Sequence, residues 1–137
     1  MIRKEIRIEK DLDVCLRNVL TKYGNTYKVD TNVGYGFPDF YFVGEFTCWV
    51  EDKIAEKLGD KIKFQAGQPS WLSENNNVAN TFILVYYKNE NVFYLYSGKD
   101  ARTLQFNGDV VSPLATFDKR TFKEIYGRLH EFCTRNS

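Results

Sequence analysis

Residues 36–54 run Gly36-Phe37-Pro38-Asp39-Phe40-Tyr41-Phe42-Val43-Gly44-Glu45-Phe46-Thr47-Cys48-Trp49-Val50-Glu51-Asp52-Lys53-Ile54. Glycine and proline punctuate the start. Asp39 to Val43 reads as a short aromatic strand, Gly44-Glu45 as a turn, and Phe46 to Ile54 as a second strand rich in β-formers, so the pair is a β-hairpin. Alternate residues of the second strand share a face, with Thr47, Trp49, Glu51 and Lys53 on one side and Cys48, Val50 and Asp52 on the other. Glu51 and Lys53 therefore point the same way, roughly 6.5–7 Å apart along the strand. With Asp39 across the hairpin, two carboxylates and an ammonium converge.

Acidic groups brought together repel, and a divalent cation relieves the repulsion. Hard oxygen ligands with positions left open for water and phosphate suit Mg²⁺, with Mn²⁺ as a substitute. Such a cation lowers the pKa of bound water and offsets charge on a phosphate, while a lysine supplies a mobile point cation for the attacking water or the transition state. The residue types fit phosphodiester hydrolysis.

Outward from this hairpin, Leu12, Cys15, Leu16, Val19, Leu20 and Tyr23 recur at three and four, which predicts an amphipathic helix over 9–23 ended by Gly24-Asn25. Thr26 to Val33 is expected to be a strand. After the hairpin comes a lysine-rich polar stretch from Ala55 to Gly67, and Pro69 suits the first turn of a helix that ends in Asn75-Asn76-Asn77. Thr81 to Tyr87 is almost continuously apolar, as in a strand covered on both faces, and Asn91 to Tyr96 is its hairpin partner. Phe122, Ile125, Tyr126, Leu129 and Phe132 predict a last helix within 118–133, with Asp118 as its N-cap. The order helix, three strands, helix, two strands, helix is one α/β domain over 1–137, with a mixed sheet.

Composition agrees with a single core. The chain has 137 residues, 43% of them hydrophobic, and a formal net charge of +1, so it is neither a histone-like basic protein nor an acidic tail protein. Its charge is uneven: residues 61–137 carry ten Lys and Arg against seven acids, whereas 1–60 carry nine against eleven. No apolar run is long enough to span a bilayer and Met1 to Glu5 is not a signal peptide, so a soluble cytoplasmic protein is expected, without membrane partners. Cys15, Cys48 and Cys133 sit in apolar contexts and read as reduced, buried small hydrophobes.

Pro38-Asp39 followed by Glu51-Asp52-Lys53 resembles the PD-(D/E)XK nuclease superfamily. That resemblance implies a restriction-endonuclease-like core, a mixed central β-sheet flanked by helices in the order α-β-β-β-α-β. The G-x-P-D spelling, the V-E-x-K strand and the Q-x-x-W at Gln68 to Trp71 are similar to the VRR-NUC branch, common in phages and related to four-way (Holliday) junction resolvases. The similarity covers about Glu9 to Tyr96. It implies that Asp39 and Glu51 are metal ligands assisted by the backbone carbonyl of Asp52, that Lys53 is the catalytic lysine, and that Gln68 orients the lysine or a water. Glu9 is the candidate for a further acid from the first helix, with Asp13 as its substitute. The family's usual residue at the middle of E-x-K is apolar, so here either the strand is exposed on that side or Asp52 joins the site.

The function expected is a Mg²⁺-dependent DNA endonuclease, acting on branched or single-stranded regions in phage replication or recombination, with a homodimer expected by analogy to resolvases. The alternative is a nuclease-fold module that binds DNA or a protein without cutting. Lys57, Lys61 and Lys63 either steer the phosphate backbone or form a solvated face. Tyr35 either stacks on a base or packs its loop.

Overall fold

The computed structural model describes residues 5–29, 37–108 and 111–135, the side chains of 77–79 excepted. Helix α1 (Glu9–Leu20) is followed by β1 (Asn25–Lys28), β2 (Phe40–Val43) and β3 (Thr47–Ala55). Helix α2 (Gln68–Ala79) leads to β4 (Thr81–Tyr87) and β5 (Val92–Ser97), then α3 (Ala101–Asn107), β6 (Ala115–Phe117) and α4 (Ile125–Thr134). The six strands form one sheet in sequence order. Every neighbouring pair is antiparallel except β3 and β4, which are parallel because α2 carries the chain back between them. The mixed sheet flanked by helices is thus the α/β core expected from the sequence.

Each face of the sheet has its own core. On one, Leu12, Leu16 and Leu20 of α1 are fully buried, at the four-residue spacing of one helical stripe, against Phe40, Phe42, Cys48 and Val50. Ile125, Leu129 and Cys133 of α4 complete that layer. On the other face Leu72, Ala101 and Leu104 of α2 and α3 pack on Ala55, Ile83, Val85, Tyr87 and Tyr96. Central strand β4 is buried at all seven positions, which accounts for its unbroken apolar sequence. All three cysteines are free, Cys48 and Cys133 buried and Cys15 half-buried.

Several boundaries differ from the sequence reading. The first helix ends at Leu20 and Tyr23 stacks on Tyr126 instead, at a centroid distance of 3.8 Å. The first strand is confined to Asn25–Lys28 among the described residues, and 30–36, which include Tyr35, lie outside them. The last α-helix begins at Ile125. Asp118 accepts from the Thr121 backbone N–H at 2.8 Å, so it caps the turn before a short 3₁₀ segment, Phe122–Glu124, and not the helix itself. Helix α3 and strand β6 were not expected. Their sequences are short and weakly periodic, and packing against α2 and β5 sustains them.

Candidate active site

The β2–β3 register pairs Phe40 with Val50 and Tyr41 with Trp49, so Asp39, one residue before β2, stands opposite Glu51. Its Oδ2 accepts the backbone N–H of Asp52 at 2.7 Å, which pins the Asp39 carboxylate to the middle of β3. Glu51 and Lys53 share the face of β3 that α2 covers. Lys53 Nζ lies 3.2 Å from Glu51 Oε2, with both side chains almost wholly buried.

Gln68 is the first residue of α2, and its side chain joins the two. Nε2 donates to Glu51 Oε2 at 2.9 Å, while Oε1 accepts from Lys53 Nζ at 3.2 Å and from the Gln65 backbone N–H at 2.9 Å. Gly67 makes this entry possible by taking a left-handed conformation, φ 87°, immediately before the helix. Pro69 then occupies the first turn, where a missing N–H costs nothing, so Gly67 and Pro69 launch the helix at Gln68. Phe64, which sequence reasoning did not single out, covers the lysine with its ring centroid 5.0 Å from Nζ. Nothing in the local sequence around Phe64 signals that contact.

The electrostatics follow from crowding and burial. Loss of water and then the Asp39 charge push Glu51 up to about 8, opposed by Lys53. Burial raises Asp39 to about 6, against the Asp52 N–H and Lys53, which both favour its ionised form. Glu9, exposed at the start of α1, adds negative potential at both carboxylates.

Asp52 is buried and belongs to the opposite face of β3, towards α1. The strand is covered on that side, which removes the exposed alternative, and the Asp52 carboxyl meets Asp13. Burial first, then the charges of Asp39 and Asp13, hold Asp52 well above the ordinary carboxylate range. Asp13 Oδ2 in turn lies 3.5 Å from Arg17 and 3.7 Å from Lys28. The backbone of Asp52 meets the site through its N–H on Asp39.

A divalent cation fits this donor set. Glu51 Oε1 is buried without a hydrogen-bond partner, and Asp39 faces it with a second hard oxygen group. Among the described residues no three His, Cys, Asp or Glu side chains form a ready-made cage. Mg²⁺ is commonly held by one or two carboxylates with water and substrate phosphate completing the shell. Lys57, Lys61 and Lys63 are all exposed on the segment between β3 and α2. Lys63 precedes Phe64 in sequence, Ile62 donates its N–H to Leu104 O of α3, and Lys57 begins a turn closed by Asp60.

No protein-family model matches the chain, and no curated protein sequence matches it significantly. Among solved structures, it is similar to that of Archaeoglobus fulgidus Hjc, described as a Holliday junction resolvase from an archaeal hyperthermophile. The superposition has a TM-score of 0.54 at 16% identity and covers 88% of this chain and 97% of that one. The fold is resolvase-like. Among the described residues no helix is long and apolar enough to cross a membrane.

Proposed function

We propose that the chain is a divalent-metal-dependent DNA endonuclease, selective for branched or otherwise structured DNA, of the PD-(D/E)XK type. The observation that carries this reading is the Asp39–Glu51–Lys53–Gln68 constellation on one sheet face, in a fold shared with a junction resolvase. Asp39 and Glu51, with the Asp52 carbonyl assisting, would hold Mg²⁺ or Mn²⁺, which would supply Lewis-acid neutralisation of the phosphate charge. Lys53 presents a donor for the attacking water or for the phosphate oxygens. Gln68 holds Lys53 and Glu51 in a fixed relation, and Phe64 shields the ammonium from solvent. Glu9 adds a carboxylate at the rim, with Asp13 reserved for the Asp52 pair. Lys63, with Lys57 and Lys61 farther along, offers positive charge to the DNA backbone.

The test is cleavage of a four-way junction, a splayed duplex and an intact duplex of the same sequence, with Mg²⁺, Mn²⁺ or EDTA. Metal-dependent cutting that prefers the branched substrates and disappears in Asp39→Ala and Lys53→Ala is expected. Equal cutting by both variants would show the activity to reside elsewhere. Sedimentation with and without a junction tests the homodimer that two symmetric cuts call for.

A further inference from the structure

The row of residues next to the carboxylates on the same sheet face is aromatic. Tyr27 pairs with Tyr41 and Tyr41 with Trp49 across β1, β2 and β3, with ring centroids 5.0 Å and 4.8 Å apart. Trp71 of α2 closes on Trp49 at 5.1 Å. Phe37 leans on Trp49 and Trp71 at 6.2 Å and 5.4 Å. The two ends of this cluster are open, Tyr27 being 45% and Phe37 40% exposed. Asp39 and Glu51 form the neighbouring row, one two-residue step along the strands, or roughly 6.5–7 Å. An extended nucleotide can lay its phosphate on the carboxylate row and its base on the rings.

We propose that Tyr27, Phe37, Tyr41, Trp49 and Trp71 form a stacking subsite for unpaired nucleobases flanking the phosphate at Asp39, Glu51 and Lys53. The inference rests on the nuclease reading and sharpens its substrate: the strand is single or splayed at the cut. A base inside a continuous duplex is stacked on its neighbours and cannot offer its face to the row, so the duplex must open there. Three features favour bases over a second protein copy as the occupant. The exposed members of the cluster, Tyr27 and Phe37, are aromatic rings, and a π-face accepts any base. A protomer seated on it would cover the carboxylates one step away. Exposed Lys61 and Lys63, on the loop that carries Phe64, supply charge complementary to a phosphate backbone.

The test is binding in EDTA, where metal-dependent cleavage does not contribute, of a fluorescent oligothymidylate of about 16 nucleotides and of a duplex of equal length. Tyr27→Leu and Phe37→Leu alter exposed rings, and melting curves check that each variant is folded. We expect each to weaken oligothymidylate binding roughly tenfold while leaving duplex affinity unchanged, and oligothymidylate to quench tryptophan emission in the wild type. Equal losses for both DNAs, no loss, or unmoved emission would overturn the subsite. A dimer that becomes a monomer in the variants, with DNA binding intact, would overturn it in favour of a second copy. Ring-dependent binding by a protein that cuts nothing with Mg²⁺ or Mn²⁺ would leave the subsite standing and remove the nuclease reading. Cutting with unaltered affinities would do the reverse.

Discussion

Lys53 Nζ and Glu51 Oε2 lie 3.2 Å apart with both side chains almost wholly buried, and Gln68 Nε2 donates to the same glutamate oxygen at 2.9 Å. Both known partners of Glu51 thus crowd onto Oε2, and Oε1 is left buried and unsatisfied. Such an atom is costly unless a cation meets it or a proton neutralises it.

Removing the ammonium therefore has two separable effects. Lys53→Met is expected to lower phosphodiester cleavage by about 10²–10³-fold, the usual cost of deleting a donor aimed at developing charge. The variant should still fold near pH 6, because Glu51, raised to about 8, already holds its proton there. Cleavage rates and circular dichroism on the same preparation check both.

Gln68 makes three hydrogen bonds from one buried amide. Gln68→Leu leaves Glu51 and the Gln65 N–H without it, and a loss of about 1–3 kcal/mol in stability is expected. Cleavage should fall as well, through misplacement of Lys53. Urea denaturation beside a kinetic assay tests this, and full activity in Gln68→Leu would remove the amide from the site.

The backbone entry to α2 can be tested on its own. Gly67 has φ 87°, a conformation that costs an L side chain on the order of 1 kcal/mol. Gly67→Ala should reduce stability by about that amount and weaken cleavage further than its stability loss explains, because Gln68 is the next residue.

The raised carboxylates set a pH dependence. Glu51 moves from an ordinary 4.5 to about 8, and Asp39 from 3.8 to about 6, so between those limits the folded chain holds more protons than the unfolded one. Their contribution is fully present below about pH 4 and is lost as pH rises through 6 and then 8. In EDTA the melting temperature should fall from pH 5 to pH 8.5, apart from any effect of other groups. Mg²⁺ or Mn²⁺ should raise it more at pH 8.5 than at pH 5, since the cation takes the place of the protons. Metal-independent melting curves at the higher pH would contradict a cation site at these residues.

Asp52 should behave in the same direction. Its pKa is raised by burial and by Asp39 and Asp13, so ionising it opposes folding. Asp52→Asn keeps the shape without the charge, and it is expected to fold at least as well as the wild type at pH 8 while retaining cleavage. Denaturant titrations at pH 5 and pH 8 distinguish this from a carboxylate that serves as a metal ligand, whose loss would abolish activity.

Much of the site was legible because its residues lie on two paired strands. The alternation that put Glu51 and Lys53 on one face is a local property of extended chain, and Asp39 follows from the hairpin register. Gln68 lies on a different element, yet Pro69 already marked the start of its helix. Phe64 was not legible, since its contact with Lys53 depends on how the 56–67 segment folds back over β3. The aromatic row escaped for a related reason. Tyr27, Tyr41 and Trp49 come from three strands, and only their mutual register makes them neighbours.

Asp52 separates the two kinds of information most clearly. From sequence alone, period-two alternation determined that it points away from Glu51, and the helical stripe of Leu12, Leu16 and Leu20 determined that α1 has a face to bury. That α1 lies against that face of β3, setting Asp13 against Asp52 and leaving Glu9 at the rim, was decided by tertiary structure. Alternation and helical period are written in near neighbours along the chain, whereas the choice of which helix covers which sheet face comes from packing two separate apolar surfaces, and no short stretch of sequence carries it.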